Sequence, residues 1–385
     1  MKDLGAAFAA FLVTVIALAA LRPVAVVVDL VDRPGGRKTH HGVVPVIGGV
    51  AMFIGLVVGF GLLEGFESMG PLLAAFGLLV AIGLLDDRFE VSPWTRLPVH
   101  AVAALVMILG SHTAITSLGD PFGLGEIHLH GTASIVLTVL VIMATINAFN
   151  MLDGMDGLAG STALICSIAL ALIGARNGMP HGPRVAHAVI AVTGAFLLFN
   201  APLNFNRRLR CFMGDAGSTV LGAVLAWLCL RASQATSHAV VSPLTVMWVV
   251  ALPMYELIWS FARRLARGRS PLAADAGHFH HLLVRGGFSV RAAFLAFAAL
   301  VSALSAIGLL LEQVDAPDGV SLLCLALAGA VVVRSMYAAS WLAKFLPAKL
   351  RRVDARQGRL PEHEAAVRPP PAAGAESDSS RGIAA

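Results

Sequence analysis

Long apolar runs fill this chain and restrict its fold more than any motif. About 20 consecutive apolar residues cross the hydrocarbon of a bilayer as a helix, and lipid offers no water to a backbone left unpaired, so such runs must be helical. The residues read as about eleven spans by that length rule, at 4–28, 44–63, 71–85, 97–118, 133–150, 158–176, 186–203, 216–231, 239–261, 290–311 and 319–342. A hydrophobic share of 57% against 13% charged residues, with mean hydropathy +0.80, excludes an ordinary soluble domain. An all-α, polytopic membrane bundle over residues 1–345 is expected, with a disordered tail over 346–385, where Pro, Ala and charge take over. Lys2 is the only basic residue before the first run and no convincing small-residue cleavage site follows it, so a retained helix is expected rather than a signal peptide.

Lys and Arg collect in cytoplasmic loops. Placing 29–43 inside puts 86–96, 151–157, 204–215, 262–289 and the tail on the same side, and those segments hold 21 of the 28 Lys and Arg. The opposite loops hold Lys2, Arg176, Arg184 and Arg231. The N-terminus is therefore expected outside and the C-terminus in the cytoplasm. Basic inner-face loops suit anionic lipid headgroups and phosphorylated substrates rather than nucleic acid. Cys166, Cys211, Cys229 and Cys324 have no CxxC spacing and read as small buried residues.

All the acidic motifs fall on that inner side. Asp153 and Asp156 stand in NAFNMLDGMDGLAG, Asn147–Gly160, at the mouth of a predicted span, and carboxylates near lipid are rare and usually functional. Their spacing puts both on one side of a near-helical turn, with Asn147 and Asn150 continuing the stripe and Gly154, Gly157 and Gly160 permitting close approach. A helix cap would use one Asp, not two with two Asn behind them. Asp215, between glycines in FMGDAGS and preceded by Arg207, Arg208 and Arg210, reads as a metal ligand or an N-cap. Asp86 and Asp87 close the 71–85 run; adjacent carboxylates repel unless a cation lies between them or one is neutral, and acids oppose the dipole of a helix C-terminus. A solvated helix end is the alternative there. Three acidic sites at helix ends imply one shared cation site.

Two further loops carry cations. The segment DRPGGRKTHHGVVPVIGG, Asp32–Gly49, gathers Arg33, Arg37, Lys38, His40 and His41, which orient the first helix and also suit phosphate oxygens. In the longest inner loop, HFHH sets His278, His280 and His281 ahead of Arg285. Without Cys, and with poor spacing for a tetrahedral set, zinc is disfavoured; phosphate or sugar binding is the stronger reading, beside histidines with no role.

Taken together, these motifs resemble the polyprenyl-phosphate N-acetylhexosamine-1-phosphate transferase family. Its bacterial branch that acts on undecaprenyl phosphate and N-acetylglucosamine is nearest. The likeness runs through five ordered motifs over roughly residues 29–290. It implies a membrane enzyme open to the cytoplasm of a bacterial inner membrane. Such enzymes transfer a sugar-1-phosphate from a UDP-N-acetylhexosamine to undecaprenyl phosphate, release UMP and start cell-envelope polysaccharides such as O-antigen. They require Mg²⁺, for which Mn²⁺ is a candidate substitute, and a homodimer is compatible with the chain.

By motif, the resemblance implies Asp215 as main metal ligand with Asp156, and Asp86 and Asp87 as the acidic pair beside the acceptor phosphate. Asp153 and Asp156 fall in the nucleotide and metal site with Asn147, Asn150 and Asn200 nearby. Lys38 meets the diphosphate, His278, His280 and His281 help bind phosphate or sugar, and His40 and Arg285 count among the substrate-binding residues. The family often has Arg after the loop aspartate, whereas Ala276 follows Asp275 here. That departure leaves another UDP-N-acetylhexosamine open as donor, or compensation by Arg285. A phospho-MurNAc-pentapeptide transferase tends to carry three consecutive histidines, unlike HFHH. CDP-alcohol phosphotransferases need Ala-Arg after Asp-Gly, and prenyltransferases need paired DDxxD motifs; neither is met. An anion transporter would place its acids at the midplane of broken, repeated helices rather than at helix ends.

Overall fold

A computed structural model describes residues 2–33, 42–177, 182–203, 209–234, 241–272 and 277–342. The described residues form thirteen helices: α1 (Lys2–Val27), α2 (Gly48–Glu64), α3 (Phe66–Phe89), α4 (Pro93–Ser111), α5 (Gly131–Leu152), α6 (Leu158–Arg176), α7 (Gly182–Asn200), α8 (Gly214–Gln234), α9 (Pro243–Val249), α10 (Ala251–Ala266), α11 (Phe279–Arg285), α12 (Val290–Gln313) and α13 (Asp318–Leu342). A short antiparallel pair, β1 (Val31–Asp32) and β2 (Val44–Pro45), aligns Val31 with Pro45 and Asp32 with Val44. The tail after 342 lies outside the described residues.

Every predicted apolar run falls on a helix, and the chain is a polytopic membrane helical bundle. Among the described residues eight helices are long and apolar enough to cross a membrane, or nine if the bent pair α9 and α10 is one span, while α2 and the apolar part of α7 are shorter. Four runs differ from expectation, and the 97–118 run is one of them, because α4 stops at Ser111 where His112 turns left-handed with φ 49°. The 71–85 run is the middle of a 24-residue helix, α3, which passes through Pro71 and carries Asp86 and Asp87 in its last turn. Glu90 then closes it in a left-handed conformation, φ 52°, and donates its N–H to Asp86 O at 2.9 Å. The 44–63 run begins as strand β2 before α2.

The 239–261 run is not one helix but α9 and α10, bent by 79°. Ser242 caps α9 by accepting from Leu244 N at 3.1 Å, with Pro243 in the first position. Pro253 has no N–H to give the carbonyl four residues back, so the helical ladder breaks before it.

At the centre stands α8, whose apolar window is 94% buried. It crosses α3 where Gly83 meets the backbone of Ala216, and α5 where Gly222 meets the backbone of Ile146. Small residues let membrane helices approach this closely, and close packing replaces the hydrophobic drive that lipid cannot supply. Because α8 is clasped along its length, its N-terminus is fixed relative to the ends of α3 and α5. Cys166, Cys211 and Cys229 are buried, Cys324 partly so, and all four are free thiols.

The opposite end of the bundle is fastened separately. Asp318 accepts from Asp120 N at 2.7 Å and from the Ser242 hydroxyl at 2.6 Å. Gln234 accepts from Thr116 N at 2.9 Å and Ser117 N at 3.1 Å, and returns its amide to Ser117 O at 2.9 Å.

Candidate active site

The site is built around the N-terminus of α8. Phe212 N donates to Pro45 O, while Gly48 N and Gly49 N donate to Phe212 O and Met213 O, each at 2.9 Å. These bonds pin the strand–helix junction at the head of α2 against the segment leading into Asp215. Gly214 turns that segment into α8 with φ +72°, and the place a Cβ would take is filled by the Asp87 carboxylate and Val46. Asp87 in turn accepts from Asp215 N at 2.8 Å and Ala216 N at 3.4 Å, capping α8 from a neighbouring helix. Arg96, in the first turn of α4, joins the carboxylates of Asp86 and Asp215. Asp86, Asp87, Glu90, Val91, Arg96 and Asp215 line a cleft of about 390 Å³.

The second acidic motif folds into the same place. After α5 the chain turns through 153–157, and Asn150 donates to the Ser218 hydroxyl at 3.1 Å. Burial pushes the Asp153 carboxyl well above its ordinary range, and the charges of Asp215, Asp87 and Asp156 push the same way. Asp156 pairs with Arg210. Asn200 is buried and uses both ends of its amide on backbone, accepting from Gly157 N at 2.6 Å and donating to Cys211 O at 2.8 Å. Asn147 donates to Met143 O of its own helix at 2.7 Å.

The histidine loop closes over this turn. The His278 and His280 rings stack at 5.8 Å, and those of His280 and His281 lie 4.2 Å apart. A Cβ on Gly154 would come within 2.6 Å of His280 Nε2 and 3.7 Å of His281 Nε2, so the glycine lets the histidines sit on the aspartate turn. His280 is 1% exposed and neither ring nitrogen has a hydrogen-bond partner. Burial, with His281 and His278 beside it, holds its pKa well below 6.5 and keeps the ring neutral. Arg285 is exposed at the end of α11. Lys38 and His40 lie outside the described residues, as do Arg37, His41 and Asp275.

Comparison with known proteins gives this arrangement its context. The profile of glycosyl transferase family 4 matches residues 69–233, which contain all five acidic residues of the cluster, Asp86, Asp87, Asp153, Asp156 and Asp215. An Escherichia coli K12 protein, "Undecaprenyl-phosphate alpha-N-acetylglucosaminyl 1-phosphate transferase", is 35% identical over 91% of this chain and 95% of its own length. The chain belongs to glycosyl transferase family 4. Proteins of the same name from Salmonella typhi, 37% identical over 78% of this chain and 82% of theirs, and Haemophilus influenzae, 36% identical over 79% and 86%, agree. It is a multi-pass membrane transferase.

In this family 4 transferase the clustered carboxylates are the side chains that could contribute to holding a divalent cation. Asp153 is held above its ordinary range by burial first and then by three neighbouring carboxylates, and the second part is a repulsion that a cation would relieve. Among the described residues no three His, Cys, Asp or Glu are grouped closely enough to hold a metal by themselves. Mg²⁺ commonly takes one or two carboxylates and leaves the remainder to water and substrate phosphate. Two charged residues of the site, Arg96 and Glu256, escaped the sequence motifs, and Arg210 entered them only through the basic run before Asp215. Arg96 was visible as a cation inside an apolar helix start, and Glu256 as the only carboxylate in the 239–261 run.

Proposed function

We propose that this family 4 transferase moves N-acetylglucosamine-1-phosphate from UDP-N-acetylglucosamine to undecaprenyl phosphate, releasing UMP. The product is a lipid-linked diphosphate sugar of the kind that starts a cell-envelope polysaccharide. The observation that carries the reading is the convergence of Asp86, Asp87, Asp153, Asp156 and Asp215, with Arg96 and Arg210, at one end of the bundle. The shared name of relatives that match most of the chain supports the acceptor and the sugar.

The acceptor is a phosphate monoester whose second pKa is about 6, so it reaches the site mostly as a dianion. An acceptor oxygen forms a bond to the donor phosphorus that carries the sugar, the bond from that phosphorus to UMP breaks, and the anomeric centre keeps its configuration. Asp87 orients the acceptor or takes its remaining proton. Arg96 offers fixed positive charge beside it, and Lys38 and the histidines serve the donor diphosphate. Asp215 and Asp156 hold Mg²⁺, or Mn²⁺ in its place, which when bound neutralises charge on the diphosphate. An apolar groove of about 470 Å³, lined by Val28, Leu30, Ala81, Leu84, Leu85, Arg88 and Phe89, lies on the other face of the same α3 end. It gives the acceptor's hydrocarbon chain a seat next to the carboxylates.

The test is UMP release by the detergent-purified chain with Mg²⁺, undecaprenyl phosphate and each UDP-N-acetylhexosamine in turn. Release that requires lipid and metal, and is fastest with UDP-N-acetylglucosamine, is expected; no release with any donor from folded protein overturns the reading. The site faces the cytoplasm of the bacterial inner membrane. In intact cells an impermeant thiol reagent should therefore label Phe122→Cys but not Arg269→Cys, and the reverse result inverts the topology. Mass measurement in detergent reads whether the assembly is a homodimer.

A further inference from the structure

The bend between α9 and α10 brings a buried carboxylate beneath the histidine loop. Glu256, on α10, is 1% exposed. Its Oε1 accepts from the backbone N–H of Phe279 at 2.8 Å, and its Oε2 lies 3.3 Å from His278 Nδ1. A carboxylate in this setting accepts and does not donate, so the proton between Glu256 and His278 belongs to Nδ1. One turn further along α10, Ser260 Oγ is 3.4 Å from the same nitrogen. Arg263, next on that face, donates to Gly277 O at 2.7 Å. Three successive loop residues, 277 to 279, are thus fastened to one helix.

We propose that Glu256 is the positioning residue of the histidine loop. It fixes His278 with the proton on Nδ1, which leaves Nε2 as the ring nitrogen available to substrate. By holding Phe279 N it also seats α11 so that His280 and His281 rest on Gly154, between the two aspartates of the turn. The inference deepens the proposed transfer reaction and rests on it for its kinetic arm only. The physical warrant is general: a carboxylate behind an imidazole sets which nitrogen faces the chemistry, and losing it costs far more than the loss of one surface hydrogen bond.

The experiment uses the full chain in detergent with isotope-labelled histidine, His278 being assigned by its absence in His278→Gln. Ring carbon and nitrogen shifts are expected to report a protonated Nδ1 on His278 in the wild type; an unprotonated Nδ1 overturns the proposal whatever the activity. In Glu256→Gln one acceptor oxygen remains for Phe279 N while an amide N–H faces His278, so the proton should move to Nε2. Transfer should fall about 10- to 100-fold in kcat, the cost typical of losing an outer partner of a functional histidine. Glu256→Gln should add nothing further in the His278→Gln background, whereas additive losses mean that Glu256 serves packing alone and refute the positioning role. Ser260→Ala is expected to leave tautomer and rate unchanged, and a tautomer switch there would transfer the role to Ser260. If the chain transfers no sugar phosphate at all, the functional reading fails while the tautomer result still decides on Glu256.

Discussion

Asp153 and His280 touch the same turn, and burial drives each toward its neutral form from opposite directions. The folded Asp153 carboxyl titrates above its ordinary 3.8. Between those values the folded state holds more protons than the unfolded chain, so this group's contribution to stability declines as pH rises through the window. In chelator, Asp153→Asn should therefore raise the melting temperature at neutral pH, by about 2–4 °C for each kcal/mol relieved, while abolishing transfer. The gap between variant and wild type should close as pH is lowered. His280, held below 6.5, has the opposite sign: its contribution is complete above 6.5 and is lost as pH falls below it. His280→Gln should flatten that acid-side loss in thermal unfolding scans. A wild-type-like pH profile in either variant would mean that the group does not titrate as its surroundings dictate.

Among the elements, α8 is the one on which the site depends, and its position is decided by backbone contact. Gly83→Val would force a branched side chain into the backbone of Ala216, separating α3 from α8 and Asp87 from the amides it caps. Overpacking of this kind typically costs about 1–3 kcal/mol. The expected result is a lower melting temperature together with a loss of kcat that higher substrate does not restore. Asn200 acts between elements in a different way, joining the 153–157 turn to the segment before α8. Asn200→Ala leaves two buried backbone groups unpaired, at about 1–3 kcal/mol each, and should lower kcat more than it raises KM. The acidic motifs were readable one by one because carboxylates and glycines at the ends of apolar runs are conspicuous. That Asp87 caps another helix was not readable, because the N–H groups it satisfies are more than a hundred residues away.

At the scale of the whole molecule, the two ends of the bundle do different work. Asp318→Ala removes the acceptor that ties Asp120 and Ser242 together at the far end; thermal unfolding should show lost stability while KM for both substrates stays unchanged. A change in KM would mean that the ends are coupled through the bundle. The sequence by itself determined that the chain is a helical membrane protein and where most of its helices lie, and it brought the carboxylates and histidines at their ends forward as the candidates for chemistry. The reasons are local, since lipid permits only internally bonded backbone over such lengths and an ionisable group there must have a use. Only the tertiary structure decided the break at Val250, the seating of HFHH on Gly154, and the places of Arg96, Arg210 and Glu256. Each of these follows from which helices α8 brings into contact and which buried donor meets which acceptor, and neither is encoded within reach of one motif.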